Sequence, residues 1–236
     1  MKNWKTIFAV VCGLAVSACG GGGGGTTAAP APVASTSTFN LLAASKSQVS
    51  TPNSSNFSVG GTLSGFAVTG SGTETNGAVT AGTFEGVSAL QQTTTVTGTA
   101  TGNGTSFPLA SSSISWTDSN YIPLGESGGS EYIVIKGTPT IPTAARVNDT
   151  GGIYTANRYT SSTKTSLIGT LVVTYVVEAD TASTALVTIL SAYKNTLGAT
   201  TKTGTSQLRV TTSNTFARVK VTAVDPANSI SLTITY

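Results

Sequence analysis

Ile230-Ser231-Leu232-Thr233-Ile234-Thr235-Tyr236 is the stretch from which the fold can be read. Large apolar residues at 230, 232, 234 and 236 alternate strictly with Ser231, Thr233 and Thr235. A period of two puts one set on each face of an extended strand. One face suits a core and the other suits water, so the stretch predicts a half-buried β-strand in an antiparallel sheet.

The same idiom recurs upstream. Leu167 to Val177 and Ala185 to Tyr193 are the strongest strand signals in the chain, rich in β-branched residues. Asn195-Thr196-Leu197-Gly198 joins the second of these to Thr201–Val210, and Ser213-Asn214 joins that to Phe216–Ala223. Asp225-Pro226-Ala227-Asn228 then leads into the opening stretch. Turn-forming residues thus sit between the apolar runs. In the first half, Phe57, Val59 and Leu63 share one phase, while Phe66 and Val68 take the other, which predicts a bulge or turn near Gly65. Thr83–Leu90 reads as a strand, Thr93–Thr101 alternates weakly, and Asn103-Gly104 predicts a hairpin into Ser106–Trp116. Glu131–Lys136 and Ile153–Thr160 complete the set. Phe39–Ala44 reads as a helical turn or short strand packed on the domain. Lys46–Asn56 and Thr117–Ser130 read as loops.

The expected fold is therefore all-β: an antiparallel hairpin meander of about 9–12 strands. It forms either a curled sheet or partial barrel, or two similar β halves, 39–140 and 141–236. Ser and Thr make up nearly a third of the chain, and only 9% of residues are charged. Thr suits strands, and the apolar content of 39% is too high for wholesale disorder.

The other informative stretch is N-terminal. Lys2 and Lys5 precede an apolar run, Ile7 to Val16, then Val16-Ser17-Ala18-Cys19 and six glycines, Gly20 to Gly25. The run holds about ten residues, against about 20 for a bilayer-spanning helix, and matches the apolar region of a secretory signal peptide. The four residues ending at Cys19 resemble the lipobox of bacterial lipoproteins. The resemblance covers about the first twenty residues. It implies cleavage after Ala18, a diacylglycerol thioether on Cys19, and a new amino group acylated with a fatty acid such as palmitate. Residues 1–18 are then the signal peptide, 19–38 a Gly/Ala/Pro-rich tether, and 39–236 the β domain. As a flexible coil the tether reaches roughly 25 Å. With Cys12 cleaved off and Cys19 acylated, no disulfide is expected.

Gly20 stands where an Asp tends to retain Gram-negative lipoproteins in the inner membrane, so the resemblance implies the outer membrane. The glycine run also resembles the tethers of surface-exposed lipoproteins, which leaves the periplasmic face and the cell surface both open. Tyr236 on an alternating strand resembles the closing signature of outer-membrane barrel proteins. Against that reading, such barrels need lipid-facing bands, which Thr93–Thr101 cannot supply.

Chemistry is sparse. The chain has no His, and without free Cys it has no Ser-His-Asp triad, Cys-His pair or His- or Cys-based metal centre. No cofactor or metal site is expected. Without Lys2 and Lys5, 10 Lys and Arg face 9 Asp and Glu, with no basic cluster, which argues against nucleic-acid binding. Asp118, Asn120 and Glu126 form a loose oxygen-ligand set for Ca²⁺, but their spacing fits no EF-hand, and a surface turn is the plainer reading. Trp116, Tyr121, Pro123 and Leu124 form either an apolar contact patch or a cap over one end of the core.

The expected function is a lipid-anchored envelope protein with a non-catalytic β domain for binding, adhesion or envelope structure. Its partners would be the membrane, through its acyl chains, and a protein or lipid ligand. The alternative is a periplasmic carrier or chaperone of an apolar ligand such as a lipid; a large cavity would favour it, a filled core the first reading. A third is a carboxylate-dependent hydrolase, which needs two acidic groups about 5–10 Å apart in a cleft. Its candidates are Glu74, Glu85, Asp118, Glu126, Glu131, Asp149, Glu178, Asp180 and Asp225.

Overall fold

The computed structural model describes residues 31–236. The segment read as a signal peptide, Cys19 and the glycine run lie outside the described residues. One helix, α1 (Leu41–Ser50), precedes the strands. These are β1 (Asn53–Leu63), β2 (Phe66–Asn76), β3 (Thr80–Phe84), β4 (Val87–Gly102), β5 (Thr105–Thr117), β6 (Pro123–Gly128) and β7 (Glu131–Lys136). There follow β8 (Thr150–Tyr159), β9 (Leu167–Thr181), β10 (Thr184–Lys194), β11 (Thr200–Thr211), β12 (Phe216–Asp225) and β13 (Ile230–Thr235).

The protein is all-β, and its sheet closes on itself. From β4 to β13 each strand pairs antiparallel with the next in sequence. β13 then pairs with β1, β1 with β2, and β2 with β4. β3 continues along the same edge of β4 as β2: Asn76 lies opposite Thr94, and Thr80 opposite Gln91. The result is a twelve-strand up-and-down barrel with β3 as an extra strand. Closure gives each of the twelve barrel strands a neighbour on both sides, while β3 pairs with β4 alone among the described strands. β7 and β8, on either side of residue 140, are paired, so the sheet is continuous through that point.

The opening stretch behaves as its alternation predicts. Ile230, Leu232 and Ile234 are buried, while Ser231, Thr233 and Thr235 are exposed. Register carries this division around the wall: Ile234 faces Val59 on one side and Val221 on the other. Inside, one apolar cluster gathers Phe57, Val59, Val96, Leu109, Val221 and Ile234, and a second gathers Phe39, Leu41, Val173, Val187, Leu208 and Val210. Outside, β4 shows Thr93, Thr95, Thr97, Thr99 and Thr101, and β2 shows Thr69, Ser71 and Thr75. On β2 and β4, apolar-in and polar-out is the reverse of a wall that faces lipid, whereas β9 and β10 carry Val172, Val176, Leu186 and Leu190 on the outward phase. Tyr236 lies on the inward phase, packed against the first cluster. No helix among the described residues is long and apolar enough to cross a membrane.

Two segments expected as loops are ordered. Residues 46–50 belong to α1, and β1 begins at Asn53. The helix hides in the sequence because three of its ten residues are Ser, and its buried positions, Leu41, Ala44 and Gln48, end on a polar side chain. Their spacing, i, i+3 and i+7, is nonetheless helical. Asn40 caps it, accepting from the Ala43 N–H at 2.9 Å. Pro123–Gly128 forms β6, held between β5 and β7. Pro at the first position of a strand is tolerated, and pairing on both sides overrides the low β-propensity of the remainder. Residues 33–38, read as part of the tether, lie against the barrel. The Val33 N–H donates to the Asp180 carbonyl at 3.2 Å, and the Ser35 hydroxyl to the Ala182 carbonyl at 2.9 Å.

Candidate functional site

Three segments from distant parts of the chain converge on α1. Phe39 and Ala145 exchange backbone hydrogen bonds, both at 2.8 Å, and the Leu42 N–H donates to the Pro142 carbonyl at 3.1 Å. The Asn40 N–H donates to Asn214 Oδ1 at 3.3 Å. From the wall, Gln92 Nε2 donates to the Val49 carbonyl at 3.0 Å and to the Gly77 carbonyl at 2.9 Å. The helix thus plugs the barrel and is fastened at both ends.

Beneath it lies a cavity of about 130 Å³. α1 contributes Leu41, Ser45 and Gln48, and the strands contribute Ile133, Ile135, Ile153, Val173, Val187 and Leu208. Ser115, Thr117, Glu126 and Tyr154 are the polar residues of the wall. Two of the polar groups are buried without a hydrogen-bond partner: Gln48 Nε2, on a residue 7% exposed, and Thr117 Oγ1, on a residue 5% exposed. A buried polar group left unpaired costs about 1–3 kcal/mol, so these two are poised for something that enters.

Glu126 is the third polar feature. It keeps some accessible surface, but it lines the cavity and stands away from bulk water. Burial pushes its carboxyl up to about 8, and the nearby Glu131 carboxylate adds to the effect. Glu131 itself is ion-paired. Arg158 grips it bidentately, Nε to Oε2 at 2.8 Å and Nη2 to Oε1 at 2.6 Å, with Lys202 Nζ 3.5 Å from Oε1. The Arg158 guanidinium also stacks over Tyr193, 4.9 Å from the ring centre. Burial likewise raises the hydroxyls of Tyr154 and Tyr193, and Glu126 contributes to both shifts. At neutral pH Glu126 is thus a neutral acid, a hydrogen-bond donor in an apolar chamber.

This has a pH signature. Between the ordinary carboxyl value of 4.5 and about 8, folded Glu126 keeps a proton that the unfolded chain has released. Its contribution to stability therefore falls as pH rises through that window and is constant above it. The groups around it, Glu131, Tyr154 and Tyr193 with Arg158 and Lys202 behind, do not reverse this sign. Glu126→Gln is expected to leave stability at pH 4 unchanged and to raise it at pH 9 by several kcal/mol, with a ceiling of about 5 kcal/mol set by the full shift. Denaturant titrations at the two pH values check this; equal destabilisation at both would refute it.

A second buried ion pair lies across the barrel. Arg218 Nη1 donates to Glu74 Oε1 at 2.7 Å, to Oε2 at 2.5 Å and to the Tyr236 hydroxyl at 2.7 Å. That hydroxyl donates in turn to Glu74 Oε2 at 2.7 Å. Glu74, Arg218 and Tyr236 do not line the cavity beneath α1.

The residues singled out in the sequence are distributed as follows. Asp118 Oδ1 accepts from the backbone N–H of Asn120 at 2.8 Å and of Ile122 at 2.9 Å, a closed turn. Glu126 instead faces the cavity, so the oxygen-ligand set does not assemble. Trp116 and Leu124 join an aromatic cluster on the face opposite to Glu126: Phe84 lies 5.0 Å from Trp116 and 5.7 Å from Tyr132, between ring centres. Tyr121 lies outside that cluster, in the turn, with φ 63°. Of the nine carboxylates, Glu126 and Glu131 come to the same side of the interior, and Glu131 is taken by Arg158. Glu85 pairs with Lys164, Asp180 with Arg209, Asp225 caps a turn, and Glu178 accepts from the Thr188 hydroxyl. Gln48 and Thr117 went unremarked because both lay in segments read as loops. The signal that could have found Glu126 is an acidic residue on a strand between glycines, Gly125 and Gly128.

Fold and interior together define a closed up-and-down β-barrel with an internal helix and a small, polar-edged cavity. No family model, curated protein or solved structure matches the chain.

Proposed function

We propose that the chain is a lipid-anchored protein of the bacterial outer membrane whose barrel is a non-catalytic binding and structural domain. The observation that carries this reading is the division of the barrel: an interior filled by two apolar clusters, two buried ion pairs and a helix, and an outer wall that is Ser- and Thr-rich on β2 and β4. The cavity beneath α1 is on the scale of one aromatic ring, which favours the filled-core reading over a carrier of acyl lipids. The lipobox-like Val16-Ser17-Ala18-Cys19 supports the anchor, and the chain is hydrogen-bonded to the barrel at Val33 and Ser35.

The test is Cys19→Ala. The variant is expected to lose acyl labelling entirely and to leave the membrane fraction, while the barrel keeps its β-sheet circular dichroism. A variant that stays in carbonate-washed membranes would contradict the proposal.

A further inference from the structure

We propose that the cavity beneath α1 binds a small neutral molecule: an apolar body the size of one six-membered ring, bearing a single oxygen that accepts hydrogen bonds. This goes beyond the proposed function and rests on the interior alone, whatever the anchor does.

Size comes first. An apolar cavity of about 150 Å³ takes a benzene-sized guest, and this one holds about 130 Å³. The aliphatic part of the wall, including Ile133, Ile135, Ile153 and Val187, offers nothing to water. A water could serve the polar edge, but most of the chamber would stay dry.

The polar edge sets the chemistry. Gln48 Nε2 is a donor with no acceptor, Thr117 has a hydroxyl with no partner, and both belong to residues more than nine-tenths buried. Glu126, protonated at neutral pH, is a third donor on the same wall. Gln48 Nε2 can only donate, and the Thr117 hydroxyl and the protonated Glu126 can donate from the same lining, so the polar edge favours an acceptor such as a ketone, ester or ether oxygen. Charge is excluded in both signs. An anion would lie near the Glu131 carboxylate, whose cations Arg158 and Lys202 are already engaged. A cation would face the Gln48 donor and force Glu126 to ionise in a dry site.

The test uses the full chain carrying Cys19→Ala, with isoleucine methyl groups labelled for NMR. Three ring probes of matched size are titrated: cyclohexanone, methylenecyclohexane, which replaces the oxygen by CH₂, and cyclohexylamine as a cation. Cyclohexanone is expected to shift the Ile133, Ile135 and Ile153 methyls and to bind roughly five- to tenfold tighter than methylenecyclohexane. Thr117→Val and Gln48→Leu should each erase most of that preference while leaving methylenecyclohexane binding in place. Ser45→Leu fills the chamber from the helix and should abolish binding of both. Ile135→Phe does the same from the wall, in case one of the two fails to fold. No methyl shift with any probe overturns the proposal, as do equal affinities for the ketone and the alkene or tighter binding of the amine.

Discussion

Arg218→Met is expected to lower the unfolding free energy by about 3–5 kcal/mol, because it strands a buried carboxylate. Glu74 is 2% exposed and Arg218 3%. Arg218 Nη1 reaches both Glu74 oxygens, and its guanidinium lies 4.8 Å from the centre of the Tyr236 ring. The pair joins β2 to β12 across 144 residues of sequence. Removing the cation leaves Glu74 with only the Tyr236 hydroxyl among the partners that bind it here. For a domain of this size, the loss corresponds to a Tm drop of roughly 10–15 °C. The double variant Glu74→Leu/Arg218→Met should recover most of the stability, since apolar replacement of a whole buried pair is often neutral. Urea denaturation of the two variants decides the matter. A single variant within about 1 kcal/mol of wild type would sink the claim, as would a double variant no better than the single.

Gly72→Val is expected to damage the barrel's closing seam. Gly72 sits in β2 opposite Gly98 of β4 on one side and Phe57 of β1 on the other. A Cβ placed there would lie 2.4 Å from the Thr97 carbonyl oxygen and 2.7 Å from Phe57 Cζ. The oxygen is backbone and cannot swing away, so β2 and β4 must separate. The expected loss is about 3 kcal/mol or more, at the upper end for overpacking. Separated strands expose unpaired edges, so the variant should also self-associate on size-exclusion chromatography. Gly152→Ala is the control: it is exposed, no atom lies within 4 Å of its Cβ position, and its change should stay within about 0.5 kcal/mol. A Gly72 variant as stable and monomeric as this control would show that the seam tolerates a side chain.

Much of the barrel was legible from alternation. The strong runs Leu167–Val177 and Ala185–Tyr193 lie on strands as expected, and in Ile230–Thr235 the apolar phase faces inward as its alternation predicts. The turns were legible as well: Asn103-Gly104 joins β4 to β5, with both residues at positive φ. The candidate site was hardly legible at all. Gln48, Thr117 and Glu126 are ordinary polar residues in their local contexts, and each reads as a surface side chain. They become a site only because the barrel closes and brings α1 under β5 and β6. Arg158 and Arg218 are illegible for the same reason, since a charge on an alternating strand has no visible partner until the opposite wall is in place.

The sequence by itself determined the class of fold, the two faces of its last strand and the shortage of catalytic side chains. Those follow from period-2 patterning, turn residues and composition, all local properties of the chain. Only the tertiary structure decided that the sheet closes, that a Ser-rich segment becomes an internal helix, and that Glu126 and Glu74 lie inside. Closure depends on pairings such as β1 with β13, whose residues lie more than 160 positions apart. No local preference encodes such a contact; it arises when burying the shared apolar face outweighs the entropy of bringing distant segments together.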